Sequence, residues 1–278
     1  MPIIDCHQHF WEFGKRAHKF PPAVGTRLDR SFTPEDLRPQ LKKAGVDATI
    51  LVQSLNDLDE TREFLGLSHT VDYVAGVVGW VPLTDPAACI AHLDDLRQLG
   101  CLVGIRSLIA YEPDPEWLLQ LQVRRSLALL AEADLVFEAI PVNERQFESV
   151  LTIACDMPEL TVVLDHLGNP PVPEKGWEPW AALIKRAAAL PNMSIKLSAG
   201  LALVVRWQWS TADIGRYVDY VLQTFGPKRV MAGSNWPVVV LGGTFGEVWH
   251  GITKLISGLS PDEREAVLGG TAQRVYGL

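Results

Sequence analysis

The sequence predicts an α/β fold, a single-domain (β/α)8 TIM-type barrel over residues 1–278, and three observations carry that prediction. Eight short, β-rich apolar runs recur along the chain. Stretches of helical character lie between them. The length also suits one such barrel, which commonly takes about 250 residues. Near-continuous apolar strands separated by helices imply a parallel sheet covered on both sides. A doubly wound open sheet is the rival, but no Gly-rich phosphate fingerprint follows the first run.

The first run, Ile3 to His9, ends in Asp5-Cys6-His7-Gln8-His9. Side chains alternate along a strand, so His7 and His9 point the same way and can share a metal, a water or a substrate oxygen. Two polar residues that merely end a strand are the plainer alternative, although two histidines on one buried face carry a large desolvation cost. Phe10 to Arg30 follows as the longest irregular stretch. Directly after a site strand, a loop of that length reads as a lid or binding loop. Thr33-Pro34-Glu35-Asp36 then supplies the cap and first turn of a helix carrying Leu37 and Leu41.

The next runs are Asp47 to Gln53, Val74 to Trp80 and Cys101 to Ser107. Asp85-Pro86 opens the helical stretch Ala87 to Gly100, and Pro113-Asp114-Pro115 marks a further helix or loop start. The remaining runs are Leu135 to Ile140, Thr161 to His166, Ser194 to Ser198 and Arg229 to Asn235, with Ser260-Pro261-Asp262-Glu263 starting a late helix.

A barrel of this kind gathers its site at the C-terminal ends of the strands. The residues there are His7, His9, Gln53, Trp80, Arg106, Glu138, His166 and Asn235, with Lys196 inside the seventh run. Arg106 is either the partner of a carboxylate such as Glu138 or a planar donor fork for a substrate oxygen. Lys196 is a buried ion-pair member or a ligand contact. His166, where strand turns to loop, reads as a site histidine. Trp11, Trp80 and Trp236 are apolar walls for a ligand or core filling.

A net charge of -8 and a pI near 5.4 give no sequence-wide attraction to phosphate backbones or anionic lipid, so the expected partner is a small molecule and not nucleic acid or membrane. Cys6, Cys89, Cys101 and Cys155 lack metal-type spacing and suggest a reducing, cytoplasmic setting. No secretory signal is evident, and no apolar run approaches the ~18 residues a membrane span needs.

The motifs His7-Gln8-His9-Phe10-Trp11, Val78-Gly79-Trp80, Gly104-Ile105-Arg106, Asp165 to Pro170, Lys196-Leu197-Ser198, Gly233 to Pro237 and Gly270 to Tyr276 occur in order along the whole chain. Together they resemble the amidohydrolase superfamily, and within it the sugar-lactonase branch of L-fuconolactone and L-rhamnonolactone hydrolases, with 2-pyrone-4,6-dicarboxylate lactonase more distant. The resemblance implies a (β/α)8 barrel and hydrolysis of a sugar-acid lactone by water. It places His7, His9, His166 and the residue at 235 in the catalytic group and Arg106 among the substrate contacts; the positions at or beside the strand ends add Trp80, Glu138, Lys196, Gln53 and Trp236 as further substrate-side candidates. The resemblance implies no cofactor or one divalent metal, zinc or manganese; His7, His9 and His166 could supply such an ion with three nitrogen ligands and leave a position open. The oligomeric state stays open, a homo-oligomer included.

One position departs from the resemblance. It implies Asp as general base where this chain has Asn235, and an amide has no useful basicity near neutral pH. Three explanations stay open: a substitution made to trap ligand, a natural variant in which His166, His9 or Glu138 is the base, or lost hydrolysis. The alternative functions are a metal-dependent decarboxylase and a catalytically silent barrel that binds a lactone or sugar acid.

Overall fold

The computed structural model describes residues 1–18 and 20–278. Its eight strands are β1 (Ile4–Gln8), β2 (Ala48–Val52), β3 (Val74–Gly79), β4 (Leu102–Arg106), β5 (Val136–Ala139), β6 (Val162–Leu164), β7 (Met193–Leu197) and β8 (Val230–Ala232). Each pairs in parallel with the next, in sequence order. The seam is drawn together by two bonds just past the strands: Asn235 N–H to the His7 carbonyl at 2.8 Å and His9 N–H to the Trp236 carbonyl at 2.8 Å. This is the expected (β/α)8 barrel. The seam also holds His7 and His9 beside Asn235.

The helices between strands include α1 (Pro34–Ala44), α2 (Leu58–Ser68), α3 (Pro86–Leu99), α4 (Leu121–Glu132), α5 (Glu144–Asp156) and α6 (Trp180–Ala188). The one-turn α7 (Leu201–Val204), then α8 (Thr211–Phe225), α9 (Phe245–Leu255), α10 (Pro261–Glu265) and α11 (Thr271–Tyr276) follow among the described residues. Capping follows the sequence: Thr33 and Asp36 form a reciprocal capping box on α1, and Asp85 accepts from Ala87 and Ala88 N–H at the start of α3. The Pro113 to Pro115 segment is loop. The loop after β1 is tied at its ends by an antiparallel bridge between Trp11 and Phe32. Lys19, inside that stretch, lies outside the described residues.

Apolar packing forms two layers. A large one fills the space between barrel and helices. A small inner one comprises Ile4, Cys6, Ile50, Val52, Val78, Val136, Val163 and Met231, with Ala272 and Tyr276 packed against them. The inner layer plugs the barrel below the polar strand ends. Simple alternation would put Cys6 and His7 on opposite faces, yet Cys6 packs in the inner layer while His7 joins the polar strand ends. The β1–β2 register shifts between Asp5 and Gln8, and such an irregularity re-aims a side chain.

The strands stop short of the expected runs by one residue or more, because their polar ends leave the ladder for the site. The sixth ends at Leu164, and His166 sits beyond it at φ 53; the eighth ends at Ala232, and Asn235 sits at φ 56. Left-handed backbone is costly for residues other than glycine, by about 1 kcal/mol or more, and tends to persist at functional sites. All four cysteines are free, with Cys6 and Cys89 buried and Cys155 exposed. Among the described residues no helix is long and apolar enough to cross a membrane.

Candidate active site

His7 and His9 bring their Nε2 atoms to 3.2 Å from one another. His9 Nδ1 lies 2.7 Å from the Val52 carbonyl oxygen, which can only accept, so Nδ1 carries the proton and Nε2 the lone pair. His7 Nδ1 lies 3.4 Å from Asp165 Oδ1, and Arg106 reaches His7 Nε2 at 3.2 Å. Arg106 can only donate, which favours the His7 lone pair on Nε2 and its proton on Nδ1 toward Asp165, although the Lys196 ammonium stands 3.1 Å from the same Nδ1. Asn235 donates through Nδ2 to the Ala199 carbonyl at 2.7 Å, which turns its Oδ1 toward His9 Nε2 at 3.2 Å. With His7 in that tautomer three acceptors converge, and Arg106 Nη1 stands against one of them.

That donor set fits a divalent cation. Two imidazole nitrogens bound ~2.0–2.1 Å from one tetrahedral zinc would stand about 3.3 Å apart, and those of His7 and His9 stand at 3.2 Å. A second grouping, His7, Asp165 and His166, has ligand atoms within 4.8 Å of one another. Its carboxylate, however, is committed to Arg106 and Lys196. The three-histidine ligand set expected from the sequence is thus divided, with His9 outside the group that contains His166.

Beneath the histidines lies a buried quartet of charges. Arg106 donates to Asp165 Oδ2 at 2.8 Å, and Lys196 lies 2.6 Å from Glu138 Oε1 and 3.3 Å from Asp165 Oδ1. Two cations and two anions balance. Burial alone would raise the Asp165 pKa, but Lys196, His7 and Arg106 together hold it well below the usual carboxylate range. Burial raises Glu138 despite its proximity to Lys196. The same burial, reinforced by nearby cations, pulls His9 down to about 3, and it pulls His166 down to about 4. Both are neutral near pH 7, and a base of pKa about 4 matches an ordinary carboxylate.

Above this floor opens a cavity of about 360 Å³. His9, Arg106, His166 and Asn235 line it, with Trp11 and His18 contributed by the loop after β1. His166 Nδ1 is 2.7 Å from Ser198 Oγ, which leaves Nε2 for a ligand.

The other sequence candidates stand elsewhere. Arg106 pairs with Asp165, not with Glu138. Glu138 and Lys196 are fully buried and are not among the residues that line the cavity. Gln53 also lies below, donating to the Arg106 carbonyl at 3.1 Å while its own carbonyl accepts from Arg106 Nη2. Trp80 is absent from the cavity wall, with its backbone N–H given to Thr61 Oγ1 at 2.8 Å. Trp236 packs edge-on to Phe10 and Phe32 and serves as core, the second of the two readings open for it. Of the three tryptophans, Trp11 is the wall. Asp165 was missed as the hub, though an acid closing the apolar run Val162–Leu164 marks it. His18, Ser54 and Ser198 were missed too; a single polar residue in a loop or at a strand end carries no periodic mark.

The amidohydrolase family profile matches residues 4–278. L-fucono-1,5-lactonase of Burkholderia ambifaria is 35% identical over 279 residues, which cover 98% of this chain and 94% of that protein. The enzyme of the same name from Burkholderia multivorans is 32% identical, covering 99% of this chain and 96% of that protein. A crystal structure of an amidohydrolase from Burkholderia multivorans with bound zinc superposes with a TM-score of 0.91 at 33% identity, covering 100% of each chain.

Proposed function

The chain belongs to the amidohydrolase family, and from that premise we propose that it opens a lactone ring by attack of water on the ring carbonyl, its substrate a sugar-acid lactone. One observation carries the reading. The cavity floor sets two neutral imidazoles, His9 and His166, and the Asn235 amide around a single charged lining residue among those described, Arg106. A neutral or singly charged lactone suits that wall; a dicarboxylate would need more cations. The names of the lactonase relatives support the substrate class.

In this mechanism His166 Nε2 takes the proton of the attacking water, while Ser198 holds Nδ1. Arg106, anchored by Asp165 and the Gln53 carbonyl, places positive charge beside the cavity, where it stabilises the tetrahedral oxyanion. Asn235 positions the water or carbonyl through Oδ1. His7 Nε2, His9 Nε2 and Asn235 Oδ1 would hold a divalent ion such as zinc or manganese, which would polarise the carbonyl or acidify water. The bond from Asn235 to Ala199 supports a natural variant built around an amide, and of the candidate bases only His9 and His166 border the cavity.

The test is proton release from a panel of 1,4- and 1,5-aldonolactones, with and without zinc or manganese, for the parent and His166→Gln. Turnover by the parent that falls about 10²- to 10⁴-fold in the variant is expected for a lost general base. No turnover of any lactone by the parent would defeat the reading.

A further inference from the structure

The loop after β1 carries His18 to the cavity wall, where its ring stacks on Phe20 at 5.2 Å and 7° and lies 5.0 Å from Trp11. His18 Nε2 is 2.8 Å from Ser54 Oγ. Ser54 in turn donates its hydroxyl proton to Glu60 Oε1, and Glu60 Oε2 accepts the backbone N–H groups of Ser54 and Leu55 at 2.8 and 3.0 Å. Glu60 is 1% exposed. A buried carboxylate so engaged orients each proton behind His18. With its one proton given to Glu60, Ser54 Oγ accepts from His18, so Nε2 is protonated and Nδ1 bears the lone pair. Nδ1 has no partner among the described residues.

We propose that His18 recognises a ring hydroxyl of the substrate, with Nδ1 accepting the hydroxyl proton while the sugar's C–H face rests on Trp11. Ser54 and Glu60 are positioning residues that select the tautomer able to accept. The identity of the ligand rests on the lactonase reading; the tautomer does not. Discrimination follows, because a lactone without ring hydroxyls leaves His18 nothing to accept and gains nothing from it.

Glu60→Gln gives an unusual test. The two backbone N–H groups on Oε2 require the amide oxygen there, which turns the amide NH2 toward Ser54 Oγ. Ser54 must then accept from Gln and donate to His18 Nε2. The tautomer inverts.

The experiment combines ¹⁵N NMR of the His18 ring with kcat/KM on a 1,5-aldonolactone and on δ-valerolactone. The parent is expected to show an unprotonated Nδ1 and Glu60→Gln a protonated one. His18→Phe keeps an aromatic ring, and it should lower kcat/KM about threefold to tenfold more for the aldonolactone than for δ-valerolactone, mainly through KM, as for one lost neutral hydrogen bond. Equal losses on both substrates, or a protonated Nδ1 in the parent, would overturn the proposal. Should Glu60→Gln not fold, Ser54→Ala must leave His18 a mixture of tautomers; a single unchanged tautomer counts against the relay. If the parent hydrolyses no lactone, the lactonase reading falls by itself. The NMR result and the affinity of parent and His18→Phe for an open-chain aldonate then decide this inference, equal affinity refuting it.

Discussion

Asp165→Asn is expected to lower both stability and turnover severely. Asp165 Oδ2 accepts from Arg106 at 2.8 Å, and Oδ1 lies 3.3 Å from Lys196 Nζ and 3.4 Å from His7 Nδ1. An asparagine can satisfy neither orientation fully. With its oxygen toward Arg106, the NH2 meets the Lys196 ammonium; turned over, the NH2 meets the guanidinium. The substitution also leaves Arg106 and Lys196 facing Glu138 alone, one buried positive charge in excess. Breaking a buried pair from one side costs about 3–5 kcal/mol. At ~2–4 °C per kcal/mol for a chain of this size, Tm falls by roughly 6–20 °C. Arg106 and His7 lose their anchor together, and a misplacement of about 1 Å near the chemistry costs on the order of 10²-fold in rate. The control is Asp156→Asn, which removes a surface partner of Arg124 at 2.9 Å, half exposed and worth about 0–1 kcal/mol. Calorimetric melts and the lactone assay on both variants make the comparison. A Tm for Asp165→Asn no lower than that of the control would refute the reasoning.

Asn235→Asp should not rescue anything: the carboxylate would face the Ala199 carbonyl that now accepts at 2.7 Å, so melts should show a loss of about 1–3 kcal/mol. Its kcat should rise less than tenfold if His166 is the base, as the proposed mechanism has it; a 10²-fold rise would show instead that the parent lacks one. Zinc should raise the parent's Tm in a concentration-dependent way, by mass action, and His9→Ala should lose that response in a thermal-shift titration. An unaltered response would remove His9 from the ligand set. His18 is pulled down to about 4 by burial and by Arg16, below the ~6.5 of an unfolded chain. The unfolded state therefore binds more protons between those values, and the contribution of His18, complete above pH 6.5, is lost as the pH falls through 4. Melts between pH 7 and 4 should be flatter for His18→Phe than for the parent.

The barrel was legible because its evidence is periodic: eight apolar runs, and caps such as Thr33-Pro34 and Asp85-Pro86, each local to a few residues. The His7/His9 pair and the polar strand ends were legible for the same reason. What the sequence could not assign was depth. Glu138, Lys196 and Gln53 sit at strand ends like Arg106, yet they lie below the cavity, and only the closed barrel decides which side chains reach its mouth. For Arg106 one of the two readings was a pair with a carboxylate such as Glu138, its direct cross-strand neighbour in the β4–β5 register. In the folded chain it pairs with Asp165, two strands away, because Lys196 occupies Glu138. His18 was invisible because its role depends on Ser54 and Glu60, thirty-six and forty-two residues on.

The buried quartet explains the state of the histidines above it. An isolated carboxylate under His7 would favour imidazolium, and protonated imidazoles neither bind a metal nor accept a water proton. Here each carboxylate is matched by a cation, and Lys196 and Arg106 lie close enough to push His7, His9 and His166 further toward the neutral form that burial already favours. Asp165 can then orient His7 through its Nδ1 proton without charging it. The aspartate that the family resemblance implies at position 235 would add an uncompensated negative charge beside His9 Nε2. With Asn235 there, the lone pairs of His7 and His9 stay available. The amide is thus consistent with the charge balance below it, a balance that keeps the imidazoles neutral and stabilises the fold at once.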